Sequence, residues 1–218
     1  MKLSKRLEKI ASLVPNGYSL GDIGSDHGLL VSYVVKNNIV PFAFASDNKK
    51  GPYERLKKNL ENYPNVRVSL SSGLESLPEN IDTVSITGMG GDLVSTILKE
   101  GQNRLKNVKF LLLGPHGNES LVRKTIDELG FKIDKETIVF EDHYYQLILC
   151  SRGHNDYSLL DYEFGPVLRF NQDKEFIKMY QEEKALLENL IGNPKIDNNK
   201  KDQFQERIDL IDKVIKKA

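Results

Sequence analysis

The strongest constraint on this chain is a repeated change of hydrophobic period between residues 18 and 130. Short apolar runs (YSLGDIG, FAFASD, VRVSL, IDTVSITG, KFLLLG) alternate with amphipathic helical stretches (HGLLVSYVVKN, PYERLKKNLENY, DLVSTILKEG, ESLVRKTIDELG). Runs of that length, apolar on both faces, are strands covered by helices on both sides, so the pattern predicts a parallel, doubly wound sheet. Two further strands, FKIDKETIVFE and HYYQLILCSRG, follow with almost nothing between them and are predicted to pair antiparallel, making seven strands in an α/β sheet. A helix precedes the sheet: LSKRLEKIASLV places Leu3, Leu7, Ile10 and Leu13 on one face, and Pro15-Asn16-Gly17 ends it.

Beyond Arg152 the period changes again. GHNDYSLLDYEFGPVLRF reads as loop, and two long helical patterns follow it. Ile177, Tyr180, Leu187 and Ile191 keep heptad spacing with Lys184 interrupting, and Phe204, Ile208, Ile211 and Ile215 repeat it. GNPKIDNN lies between them, so an antiparallel helical hairpin of coiled-coil type is expected. The expected domains are residues 1–155 for the sheet and 156–218 for the hairpin.

Charge and cysteine usage exclude several classes. Lys and Arg number 31 and so do Asp and Glu, but residues 1–60 carry +5 and residues 61–170 carry −5. A nucleic-acid partner would have to meet a local basic surface, most readily Lys2, Lys5, Arg6 and Lys9 of the first helix; a solvated helix face accounts for the same charges. Cys150 is alone, so no internal disulfide forms. The four histidines, 27, 116, 143 and 154, lack metal-ligand spacing, and no metal is expected. No run of about 18 apolar residues is present and the first residues lack an apolar signal core, so a cytoplasmic protein without a membrane partner is expected.

In a doubly wound sheet ligands bind beyond the carboxyl ends of the strands. Strand one ends in Asp22-Ile23-Gly24-Ser25-Asp26-His27-Gly28. Strand two ends in Asp47-Asn48, at the distance expected for a carboxylate that accepts from ribose hydroxyls. After strand three, Gly73 and Leu74 can flank an adenine ring. Gly88, Met89 and Gly90 follow strand four, a glycine density that suggests something bulky against the backbone. Strand five ends in a rigid turn, Gly114-Pro115-His116-Gly117. An adenosine ligand fits all of these ends. A dinucleotide would bring a pyrophosphate against Asp26, which repels it; S-adenosylmethionine brings a sulfonium and an ammonium, which Asp22 and Asp26 favour. Charge therefore selects S-adenosylmethionine as cofactor.

The stretches LSKRLEKIASLVP, DIGSDHGLL, ITGMGG and LLLGPHG together resemble the bacterial tRNA (adenine-22-N1)-methyltransferases over nearly the whole chain. The resemblance implies a Rossmann-type class I methyltransferase domain, a C-terminal helical hairpin, and methyl transfer from S-adenosylmethionine to N1 of an adenine in the D-arm region of tRNA. Three positions depart from that family: Gly28-Leu29-Leu30-Val31 stands for Ala-Tyr-Leu-Pro, Gly114-Pro115-His116 for Gln-Pro-Asn, and Asp47 for Glu.

Adenine N1 has a free lone pair, so the chemistry needs alignment and protection of the charge that passes to the base. Asp26 either orients the amine and stabilises that charge, takes its proton as general base, or holds the loop and the methionine part of the cofactor. His27 either positions the base or serves the helix start. Met89 either floors the base or packs in the core. After strand four the (Asp/Asn)-Pro-Pro-aromatic motif of N6-adenine enzymes is absent. Lys200 and Lys201 of the hairpin join the N-terminal cations as expected tRNA contacts. A methyltransferase for a small molecule or protein, and a non-catalytic adenosine-ligand or RNA-binding module, are the alternatives.

Overall fold

The computed structural model describes residues 3–215, so Lys2 lies outside the described residues. The strands are β1 (Leu20–Ile23), β2 (Ala43–Asp47), β3 (Val66–Leu70), β4 (Thr83–Gly90), β5 (Phe110–His116), β6 (Phe131–Phe140) and β7 (Tyr144–Arg152). They form one seven-stranded sheet in the order β3-β2-β1-β4-β5-β7-β6. The first five run parallel, and β7 lies antiparallel between β5 and β6. β1 sits beside both β2 and β4, so the strand order reverses there and a crevice opens beyond its carboxyl end.

The central strands are buried end to end, as sequences apolar on both faces require: every residue of β1 and β2 is buried. The flanking helices are α1 (Lys5–Leu13), α2 (Leu29–Lys36), α3 (Lys50–Leu60), α4 (Gly91–Glu100) and α5 (Glu119–Glu128). α1 starts where Ser4 accepts a hydrogen bond from Leu7 N–H, and it buries Ile10 and Ala11. It packs on α2, β6 and β7. Behind the sheet, Arg123 of α5 is fully buried, with Nε on Glu136 at 2.8 Å, Nη2 on Gln146 at 2.6 Å and Nη1 on the Tyr162 carbonyl at 3.1 Å. A buried guanidinium is tolerable only with such a set of acceptors.

The stretch expected as loop beyond Arg152 contains two short helices, α6 (Leu159–Phe164) and α7 (Pro166–Asn171). α6 is set by a capping box in which Ser158 and Asp161 satisfy each other's backbone N–H groups. Six residues are too few to show a helical period, so only the Ser-x-x-Asp spacing and Pro166 at a helix start foretold them. The chain divides into two compact units after Gly165, which leaves α6, packed on α5, in the first unit although residues 156–165 had been grouped with the hairpin.

The second unit holds α7 and the hairpin of α8 (Lys174–Ile191) and α9 (Asn198–Val214). Asp173 and Asp197 cap the two long helices through Phe176 N–H and Lys200 N–H. Lys184, the residue that breaks the heptad, reaches both carboxylate oxygens of Asp212 across the hairpin at 2.6 and 2.7 Å. Arg207 Nε meets Glu183 at 2.7 Å. The buried stripe of α8 is Phe176 and Tyr180, with Ile177 half-buried, while α9 buries Ile208, Ile211 and Val214.

Candidate active site

Beyond the ends of β1, β2 and β4 lies a cavity of about 610 Å³. Gly24 and Ser25 turn out of β1 by donating their N–H groups to the Ser46 carbonyl at 2.8 and 3.0 Å. Gly24 has φ +71°, and a Cβ there would lie 2.0 Å from the Met89 methyl. The positive φ is what calls for glycine, since the Met89 methyl ends a flexible side chain that can move aside. Asp26 follows at φ 45°, a left-handed conformation that Asp tolerates better than most residues. Its carboxylate is held by Arg55 of α3 at 2.7 Å, and His27 Nε2 lies 3.6 Å from its other oxygen. Both partners are about half exposed, so the Arg55 pair contributes little stability; it orients Asp26 and offsets its charge.

Asp47 at the end of β2 accepts Lys49 N–H on one carboxylate oxygen at 2.9 Å, and its carbonyl accepts Ser71 N–H at 3.0 Å. The other carboxylate oxygen is not engaged by the described residues. Asn48, Gly73, Gly88 and Met89 complete this wall. β4 shifts register between Thr87 and Met89, and Gly88 takes φ +78° with nothing within 4 Å of where a Cβ would stand.

On the other side of the Gly24–Asp26 loop lies a smaller cavity of about 260 Å³. Gly24, Asp26, Thr87 and Gly88 line both, while Asp22, Ser25, His27 and Arg6 line only the smaller one. Burial pushes the Asp22 carboxyl up to about 6 from 3.8, against the opposing hydrogen bond that Ser25 Oγ donates to it. No cation among the described residues compensates it, so a positive group placed beside Asp22 would draw it back to the ionised form.

Most of the expected cofactor residues are thus brought together: Gly24, Asp26, Asp47, Asn48, Gly73, Gly88 and Met89 in the larger cavity, Asp22, Ser25 and His27 at the smaller. Two are not. Leu74 is 2% exposed and packs beneath Gly101, and it lines a neighbouring cavity of about 380 Å³ with Gly73, Leu93 and Ile97, which the larger cavity shares. Gly90 caps α4 and lines neither cavity. His116, expected in a turn, ends β5, paired with Gly90. Lys5 and Lys9 are exposed on α1, whereas Arg6 is half-buried, with Nη1 3.2 Å from His116 Nε2 and the guanidinium 4.5 Å above the Tyr145 ring. Lys200 and Lys201 open α9 in the second unit. Arg55 is not among the residues expected from sequence, and Tyr145 reads there as core packing of its strand. Arg55 lies in the second turn of α3, the helix that follows Asp47, and Tyr145 carried no signal beyond its strand.

Among the described residues no three His, Cys, Asp or Glu side chains gather as a metal site, and no helix is long and apolar enough to cross a membrane. The cavities fit S-adenosylmethionine: an uncompensated buried carboxylate for an ammonium, a free carboxylate oxygen on Asp47 for hydroxyls, and glycines that let a ligand reach the backbone.

Residues 3–149 match the family model described as a methyltransferase domain. Among curated proteins, the tRNA (adenine(22)-N(1))-methyltransferase of Bacillus subtilis is 28% identical, over 99% of this chain and 98% of its own length. The crystal structure of Sp1610 from Streptococcus pneumoniae is similar with a TM-score of 0.93 at 32% identity, covering 99% of this chain and 100% of that one. The M. capricolum TrmK structure, in complex with S-adenosyl-homocysteine, has a TM-score of 0.87 at 29% identity over 98% of this chain and 97% of that one.

Proposed function

Because this chain belongs to the tRNA (adenine-22-N1)-methyltransferase family, we propose that it methylates N1 of adenine 22 in tRNA, with S-adenosylmethionine as methyl donor. The observation that carries this reading is the span of the similarity, which includes both the cavity-bearing unit and the helical hairpin. A methyltransferase of another substrate class would share the sheet and lack the match over the hairpin.

The cofactor, when bound, supplies an electrophilic methyl on a sulfonium. The chain's own residues do the rest. Asp47 accepts from the ribose hydroxyls, and Gly73 with Leu93 and Ile97 encloses the adenine ring. Asp22 receives the ammonium and becomes fully ionised as it does so. Asp26 borders both cavities, which supports a place for its carboxylate beside the base that receives the methyl. Adenine N1 would attack the methyl as a neutral nucleophile while the methyl–sulfur bond breaks to leave a neutral thioether, and Asp26 would accept a hydrogen bond from the exocyclic amine and stabilise the charge that passes to the base. Gly88 lets the base approach the β4 backbone. N1 lies on the Watson–Crick edge, so the adenine must leave its stack to be methylated. Lys5 and Lys9 of α1 and Lys200 and Lys201 of α9 meet tRNA phosphates.

The test is incubation with labelled S-adenosylmethionine and tRNA lacking the modification, followed by nucleoside analysis. Label in 1-methyladenosine at position 22 is the expected result; label in any other nucleoside overturns the reading.

A further inference from the structure

The Arg6 guanidinium has no carboxylate partner among the described residues, although it lines the smaller cavity beside Asp22 and Asp26. Its Nε is buried without a hydrogen-bond partner. What holds it is a neutral clamp: Nη1 meets His116 Nε2 at 3.2 Å, and the Tyr145 ring lies 4.5 Å below. Arginine only donates, so Nε2 of His116 must be the acceptor, and the ring proton sits on Nδ1. His116 is packed in turn against Tyr145 and His143, with centroids 5.1 and 5.7 Å away. The Tyr145 hydroxyl is tied to Asp142 at 2.8 Å. Three elements, α1, β5 and the β6–β7 hairpin, therefore converge to aim one uncompensated cation.

We propose that His116 is a positioning residue for methyl transfer: its Nε2 lone pair fixes Arg6 at the mouth of the smaller cavity, where the guanidinium engages the nucleotide carrying the target adenine. This rests on the methyltransferase reading above. A clamp that works by accepting a hydrogen bond fails when the acceptor is protonated, because imidazolium and guanidinium would then face each other with no lone pair between them. The charged and titratable groups around His116 are Arg6 from α1, His143 and Asp142 from the β6–β7 turn, Tyr145 from β7 and Glu119 from α5. Burial, then Arg6 and His143, hold its pKa below the usual imidazole value, outweighing Asp142 and Glu119. The clamp is intact at neutral pH and opens as pH falls through that lowered value.

The experiment compares wild type, His116→Ala, His116→Gln and Arg6→Ala in steady-state tRNA methylation between pH 5 and 8.5, with cofactor affinity and melting temperature measured for each. Glutamine supplies a non-titrating acceptor near the position of Nε2. The expected result is a fall in kcat/KM for tRNA of about tenfold in His116→Ala, the scale on which displaced positioning groups act. His116→Gln should recover most of that loss and lose the part of the acid-side decline that His116 causes. Any decline from Asp22 is common to both proteins and cancels in the comparison. The double variant Arg6→Ala/His116→Ala should be no worse than Arg6→Ala alone. Wild-type rates and pH profile in both His116 variants overturn the proposal. So do equal losses in alanine and glutamine accompanied by lower melting temperatures, which would make the histidine merely structural. A wild type that forms no 1-methyladenosine removes the functional reading itself, a result distinct from either.

Discussion

Replacing Asp22 by asparagine should stabilise the protein and at the same time weaken its hold on the cofactor. Burial raises the Asp22 pKa from 3.8 to about 6. A folded-state pKa above the unfolded one favours folding fully below the unfolded value, and that advantage is lost as pH rises through the folded value. The window is therefore about pH 4 to 6, and above it the chain carries a buried charge. Two units at about 1.4 kcal/mol each put that cost at roughly 3 kcal/mol. Asparagine keeps the shape and an acceptor for Ser25 without the charge. Asp22→Asn should gain up to roughly 3 kcal/mol at pH 8 in urea unfolding, and nothing at pH 4. In calorimetric titration its affinity for S-adenosylmethionine should fall by about 1.5–3 kcal/mol, the worth of a charged hydrogen bond. Wild-type affinity should rise with pH through about 6, and the variant's should not. A variant no more stable than wild type at pH 8 would refute the reasoning, since desolvation would then not govern this carboxylate.

Three further outcomes follow from the geometry. Asp26→Asn should keep the fold, because asparagine also tolerates the left-handed backbone, while kcat for tRNA methylation drops on the order of a hundredfold; unchanged kcat would confine Asp26 to the loop. Gly91→Ala would set a methyl 2.4 Å from the Gly117 carbonyl oxygen and 2.8 Å from that of Asn118, so urea unfolding should show a loss of about 1–3 kcal/mol. Glu136→Ala leaves Arg123 buried and without its carboxylate, with an expected loss of about 3–5 kcal/mol in the same measurement.

The sheet was legible because its central strands β1 and β2 are buried on both faces and its helices on one, so the hydrophobic period separates them. The strand ends were legible for a different reason: Gly24, Asp47 and Gly88 are local solutions to backbone and hydroxyl chemistry. What escaped was set by packing at a distance. Leu74 follows Gly73 in sequence, but only the fold shows it packed beneath Gly101 with Leu93 and Ile97 of α4 on the wall beside Gly73. Asp26 looked like a free charge, and only the fold brings Arg55 to it. Lys184 looked like a defect in a heptad until Asp212 stood opposite. Arg6 was read as one more surface cation, because nothing in sequence connects it to residues 116 and 145.

α1 precedes every strand of the sheet in the chain and packs against β6 and β7, the last two of them. During synthesis this helix leaves the ribosome long before its binding surface exists, and its apolar face must wait. Arg6 reaches its station only after both His116 and Tyr145 have followed. Closure of so long a loop is slow and exposes the waiting segment to wrong partners. A chain interrupted before β7 would lose the far edge of the sheet together with the wall that α1 builds, so the candidate site is complete only when the sheet is finished.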